Sequence, residues 1–181
     1  MNELEKISAL ILQLEQKRPI RELDWVARTN LPYQSLGLVL HDDLLSWPEG
    51  LDLLNAKTVA TALDQGSRHL DLHIHQCIES TNTHLVQQAQ TASIDSQVSA
   101  AEFQYHGRGR RGRQWLSPYA RNLAVSLGRA SQRSLSDLGG LSLVVGLALA
   151  EALETAGVKG IALKWPNDLW VNNKKLAGIL V

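Results

Sequence analysis

Residues 160–181 read GIALKWPNDLWVNNKKLAGILV. Three runs of strand-forming residues, 160–165, 169–171 and 175–181, are separated by a Pro-Asn-Asp turn and by Asn-Asn-Lys at 172–174. Short polar breaks of this kind between apolar runs predict antiparallel strands, the last two joined as a hairpin. Upstream, residues 136–156 are rich in helix formers and end at Gly157, a residue suited to closing a helix. Within that helix Ser142, Gly146 and Ala150 recur every fourth residue and make a smooth stripe that another backbone can approach. Strands and helices alternate along the chain with antiparallel hairpins, so the class is mixed α/β or α+β, and the expected fold is α+β with a mixed, largely antiparallel sheet and packed helices.

Working towards the N-terminus, NLAVSLG (122–128) and QVSAAEFQY (97–105) read as strands. STNTHLVQQAQ (80–90) opens with hydroxyl and amide side chains suited to capping a helix. LDLHIHQC (70–77) alternates, with Leu70, Leu72 and Ile74 on one face and Asp71, His73 and His75 on the other, which predicts a half-buried strand. His73 and His75 have no third ligand at a metal-binding spacing, so no metal site is assigned. LDLLNAKTVATALD (51–64) predicts a short helix that Gly66–Ser67 breaks. Residues 20–50 show no sustained period, whereas Leu4, Ile7, Ile11 and Leu14 line one face of a helix over 2–17, stopped by Pro19. The expected organisation is an N-terminal helical region (1–50), a linker (51–66) and a catalytic-type domain (67–181).

Lys+Arg and Asp+Glu both number 18, so the chain of 181 residues is neutral overall. A protein that binds nucleic acid mainly through charge is more basic than this. The single cysteine, Cys77, excludes an internal disulfide and a multi-cysteine zinc site and fits a reducing compartment. The N-terminus MNELEKISAL does not read as a signal peptide, and LSLVVGLALA (141–150) is about half a membrane span. The expectation is a cytoplasmic protein with no membrane partner.

Against that balance, GRGRRGR (107–113) concentrates four arginines among three glycines. Three readings stand: a solvated surface loop, an arginine/glycine nucleic-acid segment, and an anion clamp. The clamp suits the residue types, because a guanidinium fork donates two parallel hydrogen bonds to carboxylate or phosphate and glycine lets backbone amides come close. The glycine spacing fits neither a Walker A loop nor a dinucleotide-binding fingerprint. Trp115 follows as a candidate wall for a ring or an apolar tail. Lys164, Asn167 and Asp168 bracket the proline turn at a strand end, and Lys175 opens the next strand. Two ammonium groups, an amide and a carboxylate there, beside the arginine loop, point to phosphate handling.

STN (80–82), GRGRRGRQW (107–115), KWPNDL (164–169) and KLAGIL (175–180), with LLNAK (53–57), resemble in order and spacing the bacterial biotin protein ligases, above all the bifunctional kind that also represses the biotin operon. The resemblance covers about residues 51–181. It implies that ATP activates biotin to biotinoyl-5′-AMP, and that biotin then passes to a lysine of the biotin carboxyl carrier protein of acetyl-CoA carboxylase. Magnesium accompanies the ATP, and no covalent enzyme intermediate is expected. It also implies that Ser80, Thr81, Asn82 and Gln104 line the biotin pocket, with Arg108, Gly109 and Arg110 closing over biotin and the adenylate. Trp115 would pack by the biotin tail and adenine, and Arg111 and Arg113 would hold the loop or nucleotide. Lys175 would touch the reacting carboxylate and α-phosphate, and Lys164, Asn167 and Asp168 would serve ATP and magnesium. Arg110 and Lys175 are the catalytic pair. The repressor type adds operator DNA and a homodimer as partners.

The chain departs from this family in three ways. QYHGRG (104–109) places His106 before the loop. The region ahead of LLNAK is short and reads as a degenerate winged helix without a clear recognition helix. The chain stops at Val181 within a strand, the expectation for a fragment holding part of the catalytic domain. Two other functions therefore stand beside ligation: a biotin-responsive DNA-binding repressor without efficient ligation, and an inactive fragment.

Overall fold

The computed structural model describes residues 2–48, 50–64 and 70–181. They form two compact units, Met1–Arg108 with Gln114–Ala130, and Gly109–Arg113 with Ser131–Val181. Each unit is built around three-stranded sheets, two in the first and one in the second. Among the described residues no helix is long and apolar enough to cross a membrane.

The first unit begins with α1 (Glu3–Glu15). Asn2 and Glu5 form a reciprocal capping box at its start, each side chain accepting from the other's backbone N–H. Of the expected face, Ile7, Ile11 and Leu14 are buried and Leu4 is half-buried, and Leu10 joins them. Then follow β1 (Ile20–Arg21), α2 (Glu22–Arg28), a four-residue 3-10 turn (Tyr33–Leu36), β2 (Val39–His41) and β3 (Leu44–Ser46). β3 lies between β1 and β2, antiparallel to both. β2 and β3 form a hairpin, and between α2 and β2 the chain makes only the single 3-10 turn. Leu36 of that turn is fully buried.

α3 (Ala56–Asp64) starts where Asn55 Oδ1 accepts the Thr58 N–H. The Gly66–Ser67 break expected after it lies outside the described residues. β4 (Asp71–His75) pairs parallel with β5 (Gln97–Ala101), and β5 pairs antiparallel with β6 (Ala124–Leu127). α4 (Thr81–Gln88) joins β4 to β5. The strand expected over 97–105 stops at Ala101. There the buried Glu102 carboxylate turns to accept the Leu54 N–H, and the chain rejoins a strand partner only at the isolated Ile78–Gln104 bridge. One core gathers Ile7, Leu10, Ile11, Leu14, Trp25 and Leu36 with Cys77, Phe103 and Tyr119.

The second unit sets α5 (Leu141–Thr155) on the antiparallel sheet β7 (Ile161–Lys164), β8 (Asp168–Val171), β9 (Lys174–Gly178). The helix expected from residue 136 starts at Leu141, because Gly139 and Gly140 separate it from a 3-10 turn (Leu135–Leu138) capped by Ser134 and Asp137. Gly157 ends the last turn with φ 96°, as a left-handed C′ residue does. Asn172 and Asn173 take φ of 50° and 60°, the two left-handed positions that a two-residue hairpin turn requires.

The small-residue stripe meets the sheet. A Cβ on Gly146 would stand 2.8 Å from Leu163 Cδ2 and 3.3 Å from Ile179 Cδ1, and Ser142 Oγ donates to the Pro166 carbonyl at 3.1 Å. Gly146→Val should overpack this contact and cost about 1–3 kcal/mol. A denaturation midpoint equal to that of the wild type would show that α5 does not need the close approach.

Candidate functional site

Sheet alternation decides which side chains can meet in each unit. In the first unit, β4 runs through Gln76–Glu79 into Ser80, whose hydroxyl caps α4 by accepting the Thr83 N–H at 3.4 Å. Thr81 and Gln104 are locked together: Gln104 Oε1 accepts the Thr81 N–H at 2.8 Å and its hydroxyl at 3.1 Å. Thr81 Oγ1 also lies 2.9 Å from Ser126 Oγ on β6. Ser80, Thr81 and Gln104 are all buried, and Asn82 is half-buried in the first turn of α4. Hydroxyls and an amide held this way suit a polar, uncharged ligand group that needs both donors and acceptors.

At the base of the arginine loop, the Trp115 N–H donates to the Gly107 carbonyl at 2.8 Å, and Arg108 bridges antiparallel to Gln114. A Cβ on Gly107 would lie 2.5 Å from the Trp115 carbonyl oxygen, so only glycine closes this base. Trp115 is half-buried, and Arg108 and His106 are exposed. The His106 ring lies 5.0 Å from that of Tyr105.

In the second unit, residues 109–113 fold on themselves, with the Gly109 N–H donating to the Arg113 carbonyl at 2.7 Å and Arg111 left-handed at φ 58°. Arg110 Nη1 donates to Asn167 Oδ1 at 3.1 Å. The Asn167 amide is oriented for this, because its Nδ2 donates to the Ile179 carbonyl at 2.9 Å. Asp168 pairs in register with Lys164 across β7 and β8, and Trp170 pairs with Lys175 across β8 and β9. Their side chains share one sheet face, opposite the α5 side occupied by Leu163. Lys164 Nζ sits 3.9 Å over the Trp170 ring. Lys175 Nζ stands 2.8 Å from Asp168 Oδ1, an ion pair without hydrogen-bond alignment. Arg111 and Arg113 are exposed. Within this unit Arg110, Lys164 and Lys175 outnumber the Asp168 carboxylate, so the assembly favours an anion.

The Biotin/lipoate A/B protein ligase family profile matches residues 74–181. The chain belongs to that family. It is 42% identical over 137 residues to the bifunctional ligase/repressor BirA of Escherichia coli K12, an alignment covering 75% of this chain and 41% of that protein. It is also 42% identical over 105 residues to the biotin--[acetyl-CoA-carboxylase] ligase of Paracoccus denitrificans, covering 57% of this chain and 43% of the other. Among solved structures, the biotin protein ligase of Aquifex aeolicus in complex with biotin and ATP superposes with a TM-score of 0.54 at 34% identity, covering 61% of this chain and 45% of that one. The chain thus spans less than half the length of these ligase-family relatives.

Two residues of this ligase-family chain were missed in the sequence. Ser126 faces Thr81, and strand alternation within AVSL marks its position without giving its partner. Trp170 lies two residues beyond Asp168, on the same face, where period two puts it under Lys164.

His75, at the end of β4, adds a pH response. Burial holds its pKa below the ordinary 6.5, and the neighbouring His84 and His73 push the same way. Its ring meets His84 edge-on at 4.9 Å, and its Nε2 is buried without a partner. A depressed folded value means that the unfolded chain binds the proton more readily. The His75 contribution is therefore whole above about pH 6.5 and is lost as pH falls through the lowered folded value. Urea midpoints should drop between pH 7.5 and 5.5, and His75→Gln should flatten that slope; an equal slope in the variant would assign the effect elsewhere.

Proposed function

We propose that this protein is an ATP-dependent biotin protein ligase. Biotin's carboxylate oxygen attacks the α-phosphorus of ATP, the bond to the β-phosphate oxygen breaks, and biotinoyl-5′-AMP and pyrophosphate result. A lysine amine of a biotin carboxyl carrier protein then attacks the anhydride carbonyl. An amide forms, AMP leaves, and the amine gives up its proton. The single observation that supports this best is the cationic face of the second unit, where Arg110 reaches Asn167 and Lys164 and Lys175 flank Asp168.

Carboxylate and triphosphate repel each other, so the first step needs fixed cations where charge builds on the α-phosphate. Arg110 and Lys175 fill that role. Lys164 and Asn167 serve the nucleotide, and the exposed Arg111 and Arg113 serve its phosphates or hold the loop. Magnesium enters with ATP, which keeps most of the metal's ligands as phosphate and water. Asp168 is the carboxylate on that face that would meet it, and this metal neutralises phosphate charge when bound. Ser80, Thr81, Asn82 and Gln104 offer the hydrogen bonds that biotin's ureido ring requires. Arg108 and Gly109 cover the bound adenylate, and Trp115 offers an apolar wall for the tail or adenine. Burial pushes the Cys77 thiol up to about 12, so it is not a nucleophile near neutral pH, which fits direct transfer without a covalent enzyme intermediate.

ATP and carrier protein place this reaction in the cytoplasm. The alternative, a biotin-responsive repressor, draws on the relatives named ligase/repressor. Operator DNA and a homodimer belong to that alternative. It needs a groove-reading helix, and the segment between α2 and β2 is one 3-10 turn with Leu36 buried, so ligation is favoured. Incubation with ATP, magnesium, carrier protein and an equimolar mixture of biotin and lipoate tests the proposal. Biotinoylation of one acceptor lysine is expected; lipoylation would overturn the substrate assignment.

A further inference from the structure

Glu15, the last residue of α1, is a carboxylate with two partners from elsewhere in the chain. Its Oε1 accepts the Tyr119 hydroxyl at 2.5 Å and its Oε2 accepts Gln76 Nε2 at 2.9 Å. Both partners lie within the first unit; Gln76 stands in the segment that leads to Ser80, and the Tyr119 hydroxyl also hydrogen-bonds the Gln76 side chain. Gln76 directly precedes Cys77, which is packed in the same core as α1. Two residues on, Ile78 donates its N–H to the Phe103 carbonyl, Tyr105 donates to Ile78, and His106 donates to Glu79, each at 3.0–3.1 Å. This ladder sets residues 77–79 against 103–106, and so sets Ser80 and Thr81 against Gln104. Tyr119 is fully buried, stacks on Trp47 at 5.1 Å, and donates its N–H to the Leu36 carbonyl. The 3-10 turn Tyr33–Leu36 is thereby bonded to the chain's own residue 119. Burial of the Tyr119 hydroxyl and its bond to Glu15 both raise its pKa far above the ordinary value, so it remains a donor at any working pH.

We infer that Glu15 is a positioning residue for the biotin segment: by holding Gln76 and Tyr119 it makes the N-terminal region a brace for the ladder that carries Ser80, Thr81 and Gln104. The inference rests on the ligase reading for its ligand, but its structural half does not. A carboxylate is the side chain for the task because it accepts from two donors at once through separate oxygens. Loss of the carboxylate takes an acceptor away from the buried Tyr119 hydroxyl and from the half-buried Gln76 amide at once.

The test uses the full chain with Glu15→Ala, Glu15→Gln and Tyr119→Phe. Glutamine still accepts from Tyr119 and can pair with Gln76 after an amide flip. Glu15→Ala should raise the biotin dissociation constant by about tenfold, corresponding to 1.4 kcal/mol, while ATP binding stays within about twofold. Glu15→Gln should restore most of the biotin affinity. If Glu15→Ala does not fold, Tyr119→Phe, which keeps the ring and its stack, should show the same selective loss. Amide hydrogen exchange gives a readout that needs no ligand: Ile78, Tyr105 and His106 should exchange faster in the variant, and Leu169 on β8 should not. Unchanged biotin affinity and exchange in Glu15→Ala, or equal loss of biotin and ATP binding, would overturn the inference. Failure of the wild-type chain to bind biotin would count against the ligase reading alone, with the exchange result still deciding the brace.

Discussion

Arg110→Ala should lower the rate of adenylate formation by about two to three orders of magnitude, roughly 3–4 kcal/mol of transition-state stabilisation. Lys175→Ala should do the same. Both cations are exposed; Arg110 donates to Asn167, and Lys175 pairs with Asp168. Neither removal opens a core, so the loss should fall on the chemistry and leave stability close to that of the wild type. Arg110→Lys should recover little, because a point charge does not replace the two-pronged donor. Single-turnover pyrophosphate release checks this. Wild-type rates in both alanine variants would remove these residues from the reaction.

The second large effect is on folding. Trp25 on α2 is fully buried, and its Nε1 donates to the Leu31 carbonyl at 2.7 Å. Trp25→Ala should cost about 3–5 kcal/mol, a large part of the roughly 5–15 kcal/mol that holds a domain folded. Trp25 shares one core with Cys77, Phe103 and Tyr119. The destabilisation should therefore reach the β4–β5 sheet: circular dichroism from the Trp47–Tyr119 stack and amide exchange in β5 should both report it. A variant whose β5 amides keep wild-type protection while α1 and α2 unfold would show two separate cores.

These two effects differ in how far the sequence foretold them. The arginine loop, KWPNDL and Lys175 are legible because their residue types have few uses in a turn and because β8 and β9 follow from alternation and a left-handed Asn-Asn turn. That Arg110 would bond Asn167, and Lys175 pair with Asp168, was not legible, since these contacts depend on the loop's backbone and on the shift of register between Leu169 and Trp170. The α1 face was read almost whole from its period. Its partners were not, because Cys77, Phe103 and Tyr119 lie more than 60 residues away and no local pattern records a tertiary contact. Residues 20–50 defeated pattern reading for a physical reason: strands of two and three residues and one 3-10 turn are too short to display a period. Glu15 was invisible as a functional residue, since at the end of an amphipathic helix a glutamate looks like solvated surface.

The measurement that tests the central claim most directly is mass spectrometry of the purified 181-residue chain after incubation with biotin, ATP and magnesium, without acceptor protein. The account predicts biotinoyl-5′-AMP, formed by the wild type and depleted in Arg110→Ala and Lys175→Ala. Biotin that stays unmodified at saturating ATP, in a chain shown to be folded and to bind both ligands, would contradict it.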